Sequence, residues 1–159
     1  MMPKNKGFSL IELLIVVAII LVIAAIAVPS FLRSRIAANE SAAASAIRMV
    51  NSAQFSYSSA YPSTGFASTL TALGGTACSP PASTGACLID TVLAAGVKSG
   101  YSFTLSNVSG PPSSSYSLVA SPSLANYSGV RNFCSIEDAV IRFSMTTLAA
   151  CDSTVSPQP

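Results

Sequence analysis

The sequence predicts an α+β chain. One long N-terminal helix spans a membrane with its first half and packs its second half on a small antiparallel β-sheet. Three observations carry that class. Residues 8–28 are an apolar run broken by a single acid, Glu12. Apolar positions at helical spacing continue beyond Pro29, with no further Gly or Pro until Pro62. From there the composition turns to Ser, Thr, Gly and Pro, with short runs that alternate in the strand manner. At 159 residues there is room for one modest domain and an appendage.

Residues 1–7, "MMPKNKG", make a short basic start. Lys4 and Lys6 supply all of the net charge of +2 and hold the start of the chain on the cytoplasmic side of a membrane. Beyond Gly7 the six basic residues are balanced by six acids, so the body is near neutral and carries no basic stripe. That argues against direct nucleic-acid binding. Leu13–Val28 is sixteen residues without charge, Gly or Pro. With Phe8–Glu12 it reaches the roughly 20 residues a membrane span needs. A core helix so uniformly apolar would be out of place in so small a domain.

Past Pro29, apolar residues recur at Leu32, Ile36, Ala43, Ile47, Val50 and Gln54/Phe55, close to a 3.6 period. Arg33, Arg35, Asn39, Glu40 and Arg48 are expected on the remaining surface. Residues 8–60 therefore read as one helix, apolar all round over 8–30 and amphipathic over 31–60. Some 50 residues rise about 75 Å, more than twice the roughly 30 Å hydrocarbon core, so the second half leaves the bilayer. Pro29 cannot donate to the carbonyl of Ala25 and crowds it, which predicts a kink or loosened turn.

Residues 61–159 form the expected globular β domain. "YSFTL" (Tyr101–Leu105), "YSLVA" (Tyr116–Ala120), "VRNFC" (Val130–Cys134) and "AVIRFSM" (Ala139–Met145) read as strands. The turn-rich "SNVSGPPSSS" separates the first two. "LIDTVLAAG" predicts a short helix ended by Gly96, and the tail "STVSPQP" reads as frayed. Cys78, Cys87, Cys134 and Cys151 all follow the apolar segment, an even count that reads as disulfides in an oxidising compartment. Proximity favours Cys78–Cys87 and Cys134–Cys151 among the three possible pairings. Zinc is the weaker reading, because no CxxC spacing occurs and the chain has no His.

Catalytic chemistry is not encoded in any recognisable form. Without His the commonest general base is missing. The acids are scattered, and Glu137 and Asp138 would point to opposite faces as strand neighbours. Neither GxxxxGK[ST], GxGxxG nor GxSxG occurs. The expectation is no enzyme, no cofactor and no metal.

"KGFSLIELLIVVAIILVIAAIAVPSF" closely resembles the N-terminus of the type IV pilin family: a short basic leader ending in Gly7, then Phe8, a Ser-Leu-Ile-Glu core, and a long apolar helix carrying Pro29. The likeness is strong over residues 4–35 and extends along the helix to about Tyr57. "SGYSFTL", "YSLVASP" and "GVRNFCSIEDAVIRF" resemble the sheet of bacterial pilins, and Cys134 with Cys151 resembles the C-terminal disulfide loop of that family. Ala139 stands where many relatives have Gly.

The resemblance implies the pilin fold, with residues 1–7 a leader removed by prepilin peptidase after Gly7 and the new terminus N-methylated at Phe8. Phe8 and Glu12 would be the assembly pair, and Pro29 a locally melted section of helix. The subunit would wait in the inner membrane and, with the inner-membrane assembly machinery, join copies of itself in a helical filament. Such extracellular pili on the bacterial surface serve adhesion, motility or DNA uptake. A pseudopilin of a type II secretion system shares the motif and fold. Major secretion pseudopilins usually bind calcium near the C-terminus, where this chain offers only Glu137, Asp138 and Asp152, and the cysteines point to pilins. A secreted soluble domain cut at "AIA" (Ala25–Ala27) is the remaining alternative, but it leaves Glu12 and the amphipathic continuation unexplained.

Energetics explain why Glu12 draws attention. An acid at the centre of a membrane helix costs about 2.5–3.5 kcal/mol and less near an end. The dipole of a first helical turn returns only about 0.3–1 kcal/mol. A cut after Gly7 would create a free amine on Phe8, with a reference pKa near 8, at the same depth. A neighbour shifted along the axis could present that amine to Glu12.

Overall fold

The computed structural model describes residues 7–75, 80–106 and 109–157. The chain divides into two compact units, Met1–Arg35 and Ile36–Pro159. A single long helix, α1 (Leu10–Ala60), supplies residues to both.

In the first unit α1 starts after Ser9, whose carbonyl accepts the N–H groups of Glu12 and Leu13 at 3.1 and 3.2 Å. Every turn from Leu10 to Val28 exposes large aliphatic side chains, and the segment long enough to cross a membrane has none of its residues buried. Its 19 residues rise about 28 Å, matching the hydrocarbon core. Pro29 lies inside α1, where the carbonyl of Ala25 loses its usual donor. One turn on, the Ser34 hydroxyl donates to the Ser30 carbonyl at 3.1 Å.

The second unit is a five-stranded antiparallel meander in the order β1 (Val97–Lys98), β2 (Tyr101–Ser106), β3 (Ser117–Pro122), β4 (Asn132–Ile136) and β5 (Arg142–Ser144). Ala43, Ala46, Ile47, Val50, Ala53 and Tyr57 of α1 follow the i, i+3, i+4, i+7 rule and form one side of the core. Tyr101 and Phe103, Leu118 and Ala120, and Phe133 face them from alternate positions of the sheet. Alanines at three of those helix positions let backbone and sheet approach closely, so the bulk comes from the sheet aromatics.

The other face of the sheet is also covered. Val119 pairs in register with Cys134, and both sides of that pair point away from α1. Cys134 is joined to Cys151, 17 residues on, and with Ile136, Leu148 and Val155 the returning chain seals this face. That explains why four consecutive residues of β3, Ser117–Ala120, are buried where a one-sided sheet would alternate.

Two short helices complete the unit. In α2 (Leu70–Leu73) the Thr69 hydroxyl caps the N–H of Ala72, and in α3 (Thr91–Ala94) Asp90 caps Leu93 at 2.9 Å. Gly96, at φ +81°, follows α3 as its sequence predicted, while α2 carried no comparable apolar period and was not anticipated.

Several expectations change. The strand read over Ala139–Met145 shortens to β5, because Glu137 and Asp138 form a turn and Ala139 sits at φ +58°. Glu137 and Asp138 are therefore not strand neighbours. The tail is not frayed over its described length: the N–H of Phe143 donates to Ser156 at 3.0 Å, and Arg142 bridges Pro157. Of the predicted "SNVSGPPSSS" turn, Asn107 and Val108 lie outside the described residues, as do Lys4 and Lys6 of the basic start.

Candidate functional site

Gly7, Phe8, Ser9 and Glu12 occupy the entry to α1. An added Cβ at Gly7 would meet no atom within 4 Å, so the described residues give no steric reason for glycine there. Phe8 is 78% exposed and packs on no core. Glu12 is the acid of the first helical turn, and one Oε2 accepts the N–H of Ser9 at 3.5 Å. That is half of a capping box, the S-x-x-E pattern "SLIE", and it was readable from the sequence. The bond is long and exposed, so the carboxylate keeps capacity for a stronger partner.

Below Glu12 the helix presents only hydrocarbon. Leu10, Leu13, Leu14, Val17 and Leu21 line one shallow groove, and Ile19, Val22 and Ile23 another. Seventeen large apolar side chains between Phe8 and Leu32 are exposed. At about 1.5–3 kcal/mol for each one removed from water, covering them is worth tens of kcal/mol. Lipid or other apolar helices would suit them better than water.

The globular unit is braced on α1 by polar groups, of which sequence reasoning placed Asn39 and Glu40 on the surface, left Gln54 and Phe55 sharing one position of the apolar stripe, and did not single out Asn51. Gln54, fully buried, exchanges two hydrogen bonds with Ala67: its amide donates to the carbonyl at 3.1 Å and its oxygen accepts the N–H at 2.8 Å. Phe55, its neighbour, turns outward at 44% exposure and packs edge-on against Phe66. Asn51 donates to Ser135 Oγ at 2.8 Å and to the Ala139 carbonyl at 3.3 Å, and accepts from the Tyr116 hydroxyl at 3.0 Å. Asn39 donates to the carbonyl of Ser128, and Glu40 accepts the N–H groups of Val130 and Arg131. Apolar periodicity does not by itself select such residues. The only sequence signal is a polar side chain interrupting an apolar stripe.

Charges pair locally. Asp90 meets Lys98 at 2.6 Å, and Asp138 meets Arg142 at 2.5 Å with a second contact at 3.0 Å. The Lys98 hydrogen bond and the capped Leu93 N–H hold Asp90 below its ordinary carboxylate value. The Arg142 hydrogen bond does the same for Asp138. Burial pushes the Tyr101 and Tyr116 hydroxyls up, helped by the carboxylates of Glu40 and of Glu137 and Asp138 respectively. Among the described residues no three His, Cys, Asp or Glu side chains gather into a metal-binding group. Of the cysteines, Cys134 and Cys151 come together. Cys87 is disulfide-bonded, and Cys78, its expected partner, lies outside the described residues.

Residues 2–28 match the prokaryotic N-terminal methylation motif. Over 55 residues the chain is 46% identical to the type IV major pilin protein PilA of Myxococcus xanthus (strain DK1622). That match covers 35% of this chain and 25% of the relative, so the chain spans about a quarter of the length of the curated relative it matches. No solved structure matches the chain.

Proposed function

We propose that this chain is a structural subunit of a type IV pilus, not an enzyme. Residues 1–7 are a leader cut by prepilin peptidase after Gly7, and Phe8 is then N-methylated. Residues 8–30 anchor the subunit in the inner membrane and later become the filament core. Residues 31–60 are the amphipathic half of the helix, and residues 61–159 the globular domain displayed on the filament surface. Prepilin peptidase and the inner-membrane assembly machinery are its partners before it joins copies of itself.

The observation that carries this reading is the exposed apolar helix whose entry bears the methylation motif. Such a helix needs lipid first and can exchange it for identical helices, at no loss of apolar cover. Glycine at residue 7 has no steric reason among the described residues, which fits a reader outside the chain, namely a peptidase. Glu12 keeps only a weak bond to Ser9, which fits a carboxylate reserved for the Phe8 amine of a neighbouring copy. Pro29, lacking one helical hydrogen bond, is where the helix loosens most readily during packing.

Intact mass of the chain from membranes and from sheared surface filaments tests the reading. The expected species begins at Phe8 and is one methyl group heavier. A chain beginning at Met1 or at Val28 contradicts it. Surface filaments lost on deletion while protein secretion continues assign the chain to a pilus. Loss of secretion with no filaments assigns it to a secretion pseudopilus.

A further inference from the structure

From Ile36 onward this chain is poor in charge, and three of its four cations are paired internally. Charged residues are 9% of the sequence, where about 25% is usual. Lys98 is paired with Asp90, Arg131 with Glu40 and Arg142 with Asp138, and Asp152 accepts from the N–H and hydroxyl of Thr154. Asp152 keeps its charge, but among the described charged side chains of this unit only those of Arg48 and Glu137 make neither an ion pair nor a hydrogen bond, and they have opposite signs.

Their surroundings sharpen the contrast. Arg48 lines a polar cleft of about 330 Å3 with Glu40, Ser41, Arg131 and Phe133. Glu40 is committed there: Oε1 takes the backbone N–H groups of Val130 and Arg131 at 3.0 and 3.1 Å, and Oε2 faces Arg131 at 3.7 Å. Glu40 and Arg131 cancel, which leaves the cleft with the positive charge of Arg48. Glu137 follows β4 on an exposed turn whose other acid, Asp138, is held by Arg142. That turn is left with the negative charge of Glu137. An exposed apolar side chain neighbours each in sequence or on the turn, Met49 at 43% and Val140 at 40% exposure.

The cleft lies between α1 and Arg131 and Phe133 at the start of β4, whereas Glu137 follows the end of that strand, so the two charges mark different patches of this unit. Two unlike, complementary patches make a head-to-tail contact, and a head-to-tail contact that does not close generates a helical array. We propose that Arg48 of one copy receives Glu137 of the next, as a contact between globular domains separate from the Phe8–Glu12 pair. This inference rests on the self-assembly reading above.

The test uses the full chain in cells, with sheared filaments measured against the processed chain in the membrane. Arg48→Glu and Glu137→Arg are each expected to lower the filament yield several-fold, and the two together to restore it. Normal yield from both single variants overturns the proposal, as does a double variant no better than the worse single. Should a reversal prevent accumulation in the membrane, Arg48→Cys with Glu137→Cys and a short bismaleimide decides. A ladder of products beyond the dimer is expected, whereas products that stop at the dimer, or none, overturn it. Absence of filaments from the unmodified chain overturns the assembly reading itself and this inference with it.

Discussion

Asn51 is the polar hub between α1 and the sheet, and its replacement gives a magnitude that can be worked from the structure. The side chain is 4% exposed and joins three partners from β4, the turn after it, and the residue before β3. Asn51→Leu keeps the branched shape and heavy-atom count, so it opens no cavity, and its bulkier methyl groups add to the polar loss rather than offset it. The Tyr116 hydroxyl, 1% exposed as a residue, loses its acceptor, and the Ala139 carbonyl loses a donor. Ser135 Oγ loses a donor but retains its own weak bond to the Ile136 carbonyl at 3.4 Å. Each buried group left unpaired costs about 1–3 kcal/mol. The Tyr116 hydroxyl bears this cost in full, Ser135 in part, and the carbonyl of exposed Ala139 can turn to water, which together give about 2–4 kcal/mol, a large share of the 5–15 kcal/mol typical of a domain. Thermal unfolding of the full chain in detergent, followed by near-UV tyrosine dichroism, should show the midpoint falling by about 10–20 °C. A midpoint within about 2 °C of the parent, corresponding to roughly half a kcal/mol, would refute the claim that this network holds helix to sheet.

Other outcomes follow from single contacts. Replacing Cys134 and Cys151 together by Ser releases a 17-residue loop and should cost about 3 kcal/mol by loop entropy, read as a lower denaturant midpoint. The carboxyl of Asp138 is held below its reference value of 3.8, so its pairing with Arg142 stabilises the fold fully above that pH. That contribution is lost as pH falls through the depressed value, and Asp138→Asn should flatten this acid limb in a pH series of midpoints. Ala139 sits at φ +58°, where an L side chain is strained, so Ala139→Gly should leave stability unchanged or raise it by up to about 1 kcal/mol by chemical denaturation. A clear destabilisation there would show that the turn is held by contacts of the Ala139 methyl.

The helix and four of the five strands were legible because they repeat: an unbroken apolar run, then a 3.6 period, then alternation. What escaped does not repeat. Gln54 and Phe55 compete for one core position by pattern alone, and the choice of Gln54 depends on the backbone of Ala67, which only the folded chain brings near. Asn39 and Glu40 read as solvated polar residues, yet each serves backbone groups in the loop before β4, some 90 residues away. The tail read as frayed because it is short and rich in Ser and Pro. It is fixed by the Cys134–Cys151 bond, which returns the chain to β5 and lets Val155 cover the outer face of the sheet. β1, two residues long, is below any periodic signal. At the helix entry the residues themselves were plain to read, but the half capping box between Ser9 and Glu12 was overlooked for the more conspicuous cost of the acid.

The central claim is that Glu12 is a poor fit for a solitary helix and a contact between processed copies. A cryo-EM map of native filaments tests it most directly. The account predicts a chain starting at Phe8, apolar helices in the filament core, and each Glu12 carboxylate within about 4 Å of the Phe8 nitrogen of a neighbouring copy, the reach of an ion pair. A Glu12 that faces solvent, or that bonds only within its own helix while the filament is intact, would contradict it.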